Sequence, residues 1–140
     1  MQKLFLDTNI LLDFLGERKL FYEPSAKILT LADRKIVKIY TSPTSITNAH
    51  YVLSKFEDSK SSLQKLRNFK LLCEVSIMNN DVVEKALYSN FRDFEDAMQY
   101  FSALETECDI LITRNEKDYK NALIPVMNAQ KYLEKYIQDR

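Results

Sequence analysis

Gly16 is the only glycine in a chain of 140 residues, and that scarcity removes whole classes of fold. A dinucleotide-binding fingerprint or a P-loop needs several glycines so that backbone N–H groups can approach phosphates closely. No segment of this chain offers them. What the residues do offer is an alternation of short apolar β-like runs with longer helical patterns, the order of an α/β domain built on a mostly parallel sheet. The length suits one domain over residues 1–140, able to bury a core without disulfide staples.

The alternation can be followed along the chain. Lys3–Leu6 reads as a buried first strand ending at Asp7. Thr8–Leu15 places Ile10, Leu11, Phe14 and Leu15 on one helical face, with Gly16 positioned to stop the helix. A second helix is expected from about Pro24, and Ile36–Thr41 is expected as strand two. Thr44–Phe56 and Lys60–Leu72 read as helices whose apolar positions include Phe56 and Leu63. Cys73–Ile77 reads as the third strand. Asn79 or Asn80 caps a helix through Tyr88, and Asp93 begins another running to about Glu107, patterned by Phe94, Ala97, Met98, Phe101 and Leu104. Asp109–Thr113 reads as a strand, Ile124–Met127 as a short last strand and Ala129–Ile137 as a closing helix.

Lys and Arg number 20, as do Asp and Glu, so the formal net charge is zero. That balance argues against coating nucleic acid by bulk electrostatics, although a local field can still direct it to one site. Cys73 and Cys108 lack metal-ligand spacing and read as small buried hydrophobes in a reducing compartment. No apolar run approaches the roughly 20 residues that span a bilayer. The opening Met1-Gln2-Lys3 and Leu4-Phe5-Leu6 are too short for a signal peptide, so a cytoplasmic location, away from any membrane, is expected.

Two strand ends share one construction. Leu4-Phe5-Leu6 runs into Asp7-Thr8-Asn9, and Ile110-Leu111-Ile112 runs into Thr113-Arg114-Asn115, with Asp118 three residues on. In open parallel sheets the ligand crevice lies outside the carboxyl ends of the strands, so both clusters face one crevice if the strands are neighbours. Each acidic residue also has a plain structural reading. Asp7 suits a helix N-cap, Asp96 suits the third position of a helix capped by Asp93, and Asp118 suits an ordinary loop. Taken together, the carboxylates and amides are the oxygen donors that hard cations such as Mg²⁺ or Mn²⁺ accept. No Ser–His or Cys–His pair competes for the chemistry, and the sole histidine, His50, sits in a helical pattern that suits packing or surface.

Leu6-Asp7-Thr8-Asn9, then Asp93-Phe94-Glu95-Asp96-Ala97, then Ile112-Thr113-Arg114-Asn115-Glu116-Lys117-Asp118-Tyr119 resemble, in order, the successive motifs of the PIN domain. The resemblance is closest to VapC-like toxins of bacterial toxin–antitoxin pairs, and it covers essentially the whole chain. It implies a three-layer α/β/α sandwich and a Mg²⁺- or Mn²⁺-dependent endoribonuclease, in which metal-activated water hydrolyses the phosphodiester. It also implies a protein antitoxin as partner, with homodimerisation common. By position, Asp7 and Asp96 match metal-binding acidic residues, Thr113 the threonine ending the fourth strand, and Asn9 the polar residue near the first aspartate.

Two positions depart from the pattern. Where the family commonly has a glutamate on the helix after strand two, this chain has Asn48; where it often has an aspartate two residues after the threonine, it has Asn115. Asp118 takes the place of that aspartate, completing a catalytic set with Asp7 and Asp96, if the loop turns inward. Amide oxygens bind dications less strongly than carboxylates, so weaker affinity and a single metal are expected. Glu95 and Asp93 point away from Asp96 at about 100° per residue and are placed outside the ligand set.

Other readings stay open. Arg114 is placed to pair with Asp7 or Asp96, to meet a substrate phosphate, or simply to leave the strand as a surface arginine. Lys60, Lys65, Arg67 and Lys70 form a solvated face or an RNA-tracking one. With two amides in acidic positions, a catalytically weakened PIN-fold module that binds RNA or a partner is the alternative to the enzyme. A receiver-like phosphoacceptor domain needs a phosphoacceptor aspartate ending a central strand and a lysine ending a later one; neither Cys73–Ile77 nor Ile110–Thr113 ends so.

Overall fold

The computed structural model describes residues 1–138. Five strands, β1 (Gln2–Leu6), β2 (Val37–Thr41), β3 (Cys73–Val75), β4 (Ile110–Ile112) and β5 (Val126–Met127), form one sheet in the order β3-β2-β1-β4-β5. Every pairing is parallel. Seven helices connect them: α1 (Thr8–Leu15), α2 (Tyr22–Asp33), α3 (Pro43–Leu53), α4 (Ser59–Lys70), α5 (Asn80–Leu87), α6 (Phe94–Glu105) and α7 (Ala129–Gln138). The expected α/β/α sandwich is what forms.

The layers follow from the two-residue period of the strands. Leu4 and Leu6 of β1 point to one face, where they join Ile39, Ile110 and Ile112 against apolar residues of α1, α2, α3, α4 and α7. Phe5 points to the other, joining Tyr40 and Leu111 against Tyr100 and Ala103 of α6. The central strand β1 is covered on both sides, which is why its apolar run is continuous rather than alternating.

Helix starts are capped as their residues suggest. Asp93 accepts from the Asp96 backbone N–H at 3.1 Å, placing Asp96 at the third helical position. Asn79 caps α5 through Val82 and Asp58 caps α4 through Ser61. Helix ends are less conventional. Gly16 caps the end of α1 as expected, but at φ −90° it is not left-handed; the left-handed residue is Glu17, at φ 47°. Lys35 and Glu107 do the same after α2 and α6, both at φ 60°. The N–H of each of these three and of the next residue bond back to carbonyls in the last helical turn, as in a Schellman end. A chain with one glycine thus closes three helices with residues that pay a left-handed penalty of about 1–2 kcal/mol.

Some expected core positions lie outside. Phe56 and Leu63 are exposed, as is Phe94. Phe56 falls beyond the end of α3, and Phe94 is the first residue of α6, before the helix meets the sheet. The buried stripe of α6 consists of Ala97, Gln99, Tyr100, Ser102 and Ala103. The third strand stops at Val75, two residues short of the expected end. Cys73 and Cys108 are buried free thiols. Among the described residues no helix is long and apolar enough to cross a membrane.

Candidate active site

The register Leu6↔Ile112 brings β1 and β4 side by side, and their next residues are Asp7 and Thr113. Chain order reverses here: from β1 the sheet runs outward to β2 and β3 on one side, and to β4 and β5 on the other. A crevice opens at the carboxyl ends of strands at such a switch point.

Asp7 is 6 % exposed. Its Oδ1 accepts from the Thr8 backbone N–H at 2.8 Å and from Gln99 Nε2 at 3.1 Å. Its Oδ2 accepts from the Thr113 hydroxyl at 2.9 Å and the Tyr119 hydroxyl at 3.0 Å. The aspartate is therefore both the cap of α1 and the centre of a buried network, so the two sequence readings of it are compatible. Four donors satisfy the carboxylate oxygens in a place where an unpaired polar group would be costly to bury.

Thr113 is fully buried, and its hydroxyl also accepts from Asn9 Nδ2 at 3.2 Å and from the Asn115 backbone N–H at 3.1 Å. Asn9 Oδ1 in turn accepts from the Arg114 backbone N–H at 3.2 Å. Asn9 and Thr113 thus lace the start of α1 to the end of β4. Gln99 does the same between α6 and α3. Its Nε2 donates to Ser45 Oγ at 2.5 Å as well as to Asp7, and its Oε1 accepts from Ser42 Oγ.

Asp96 lies one turn before Gln99 on α6. Burial, then the charges of Asp93, Asp7, Asp118 and Glu95, push its carboxyl up to about 7 from the usual 3.8. Asp7 and Asp118 are therefore near enough for Asp96 to feel their charge. Asp118 itself is exposed in a short 3₁₀ turn over Glu116–Tyr119, and its backbone N–H bonds to Asn115 O at 3.0 Å. The turn sends Tyr119, rather than Asp118, inward to Asp7. Burial, followed by the charge of Asp7, raises the Tyr119 hydroxyl far above its usual range, so it stays a proton donor.

Asn48 does not stand alone. Its Nδ2 donates to Glu95 Oε1 at 2.9 Å, so the carboxylate absent from α3 is matched by one that α6 brings to the same place. Partial burial, then Asp93 and Asp7, raise the Glu95 carboxyl. Arg114 pairs with neither Asp7 nor Asp96; its Nε donates to buried Asp13 at 2.8 Å. His50 contacts Ser62 at 2.9 Å, in keeping with a packing role.

Sequence reasoning missed Gln99 and did not single out Tyr119. A signal for Gln99 existed: Asp96, Gln99 and Ala103 recur at three and four residues, so the glutamine shares a stripe with the acidic candidate. Nothing local marked Tyr119, whose role depends on a turn that only the folded chain reveals.

The donor set is all oxygen, which suits a hard divalent cation. Among the described residues no three acidic, His or Cys side chains converge into a ready-made cage. Asp7 already accepts four hydrogen bonds, about the full capacity of a carboxylate, so Mg²⁺ bound through it would displace one of those donors and complete its shell with water. Burial first, and acidic neighbours second, raise the Asp96 carboxyl, and a dication bound there would ease the repulsion among those neighbours.

Residues 3–117 match the family described as PIN domain. The chain belongs to the PIN domain family. A curated relative, Ribonuclease VapC1 of Aquifex aeolicus (strain VF5), is 28% identical over 140 residues, spanning 96% of each protein. Among solved structures, VapBC2 from Rickettsia felis, bound to a DNA fragment from its promoter, superposes with a TM-score of 0.65 at 18% identity, covering 91% of this chain and 98% of that one. Mycobacterium tuberculosis VapC20, a toxin cleaving the sarcin–ricin loop, gives 0.61 at 15% identity, covering 77% and 86%. The PIN fold accounts for the sheet order.

Proposed function

We propose that this PIN domain is a metal-dependent endoribonuclease and the toxin of a toxin–antitoxin pair. One observation carries the reading: at the switch point of the sheet, four donors anchor the carboxylate of Asp7, and its charge is among the acidic neighbours that, after burial, lift the Asp96 carboxyl to about 7. Similarity to a ribonuclease over almost the whole chain supports RNA as substrate. The toxin–antitoxin setting of similar structures supports a protein antitoxin as partner.

Asp7 and Asp96 would hold Mg²⁺ or Mn²⁺, with Asn115 and Asp118 at the rim and Asn9 and Thr113 fixing Asp7. Bound there, the ion supplies activation of water and neutralisation of charge on a phosphoryl oxygen. Four donors keep Asp7 from swinging as substrate arrives, so its geometry is set in advance. Asp96 exchanges a proton near neutrality, and Asn48 holds Glu95 beside the crevice. In hydrolysis a water gives up one proton as its oxygen bonds to phosphorus, the bond to the leaving ribose oxygen breaks, and that oxygen takes up a proton.

Manganese calorimetry on wild type, Asp7→Asn and Asp96→Asn tests this, combined with cleavage of RNA. The expected result is binding and cleavage by the wild type and loss of both in each folded variant. Wild-type cleavage by either variant would overturn the assignment. The two amides Asn48 and Asn115 favour a second reading, a binding module; a folded wild type that binds RNA but neither takes up Mn²⁺ nor cleaves would establish it.

A further inference from the structure

Asp13, on α1, is 1 % exposed. Burial raises its carboxyl, and the hydrogen bond and charge of Arg114, then the charge of Arg18, oppose that. Its Oδ2 accepts from Arg114 Nε at 2.8 Å, Arg18 Nη1 stands 3.8 Å from Oδ1, and Oδ1 has no hydrogen-bond partner. A buried ion pair of this kind is seldom more stable than well-packed apolar side chains of the same size. Stability is therefore a poor reason for placing it here.

The arginine that Asp13 grips is positioned unusually well. Its guanidinium carbon lies 4.0 Å from the centroid of the Phe21 ring. Among the described residues no hydrogen bond reaches its terminal nitrogens, and its side chain keeps 28 % of its surface in solvent. Phe21 is 40 % exposed. It ends a connection from α1 to α2 in which Glu17 and Leu20 both adopt positive φ, 47° and 75°. A non-glycine residue in that conformation costs energy, so this connection holds Phe21 in place under strain. Asp13 lies six residues beyond Asp7 along α1, about 9 Å of helix at 1.5 Å per residue. Arg114 directly follows Thr113, whose hydroxyl bonds to Asp7, while its guanidinium is held at Asp13 and so outside the hydrogen bonds of Asp7.

We propose that Phe21 and Arg114 form a stacking shelf for a nucleobase of single-stranded RNA flanking the scissile phosphate, with Asp13 as the buried strut that orients it. A flat cation backed by an aromatic ring is a surface on which an unpaired base stacks, whatever its identity. The positive charge suits a polyanion, and continuity with the crevice through Thr113 and Asn9 suits the strand being cut. The nucleic-acid part of this inference rests on the ribonuclease reading. In this role Asp13 is a positioning residue, whereas Phe21 and Arg114 touch the RNA.

The experiment compares two probes by fluorescence anisotropy in EDTA, so that neither metal nor cleavage enters. One is a labelled single-stranded oligoadenylate; the other is an abasic ribose-phosphate oligomer of equal length. Wild type, Phe21→Leu and Arg114→Lys are compared. Phe21→Leu keeps an apolar side chain at a partly exposed position, and Arg114→Lys keeps the charge but loses the plane. Each is expected to weaken oligoadenylate binding about tenfold and to leave abasic binding within a factor of about two, closing the gap between the probes. Asp13→Asn, if folded by circular dichroism, should reproduce Arg114→Lys.

Oligoadenylate binding by Phe21→Leu equal to wild type overturns the shelf and leaves that surface to a protein partner. Equal losses on both probes overturn stacking in favour of a simple phosphate contact. A wild type with no preference for bases overturns the proposal too. Base-dependent binding that Phe21→Leu reduces, in a wild type that takes up no Mn²⁺, supports the shelf and overturns the hydrolytic reading instead.

Discussion

Gln99 on α6 donates one side-chain hydrogen to Oδ1 of Asp7 and the other to Ser45 on α3. The glutamine is fully buried and spends both donors and its acceptor on this junction. It ties the central strand to a helix on each face of the sheet. Removing its amide deletes three hydrogen bonds from buried groups that keep only their remaining partners, and each such bond contributes about 0.5–1.5 kcal/mol.

Gln99→Leu is therefore expected to lower stability by at least about 0.5–1.5 kcal/mol, although it preserves bulk and adds apolar character. Urea unfolding followed by circular dichroism measures this; an unchanged midpoint would show that water or rearrangement satisfies the junction.

The acid-base behaviour of Asp96 gives a second expectation. Its carboxyl is raised to about 7 in the fold against roughly 3.9 in an unfolded chain, so the native state binds that proton more tightly. Its contribution to stability is complete below about pH 4 and is lost as pH rises through about 7. In EDTA, the difference in stability between wild type and Asp96→Asn should shift in favour of Asp96→Asn between these limits. Because a cation must displace the proton, Mn²⁺ affinity of the wild type should climb up to tenfold per pH unit below about 7 and level off above it. Urea midpoints and calorimetry across that range check both; a flat profile would remove the raised carboxyl from the account.

Restoring the acidic position on α3 tests the contact between Asn48 and Glu95. Asn48→Glu replaces a 2.9 Å hydrogen bond with two like charges. The variant should be less stable than wild type in EDTA and should bind Mn²⁺ more tightly, because a dication relieves the repulsion. Tighter binding with no loss of stability in EDTA would mean that the two carboxylates do not meet.

The glycine-poor helix ends offer an independent check on the backbone. Lys35→Gly and Glu107→Gly, both at φ 60°, should each raise stability. The left-handed penalty removed is about 1–2 kcal/mol, and the extra flexibility of glycine in the unfolded chain returns about 0.4–1 kcal/mol of it. A net gain near 0.5–1 kcal/mol by urea unfolding is expected, with metal binding untouched.

The sequence by itself determined the elements and where the acidic residues stand within them. Apolar runs of period two or none made the strands, and three-and-four spacing made the helices. Asp7 after Leu6 had to end a strand and begin a helix, and Asp93 before Phe94 had to put Asp96 in the first turn of α6. The ordered motifs then pointed to the PIN domain. These are local facts, set by backbone geometry and neighbours within a turn.

Tertiary structure decided which groups meet. Gln99 is 92 residues from Asp7 and Tyr119 is 112, and only the β1–β4 pairing and the α6 crossover bring them to one carboxylate. Arg114 turned to Asp13, 101 residues away, instead of to Asp7, and Asn48 found Glu95 on a helix expected to point that side chain elsewhere. Periodicity states which face of an element is buried but not what lies across from it. Packing settles that opposite partner, because a buried charge or amide is stable only where the folded chain provides its hydrogen bonds.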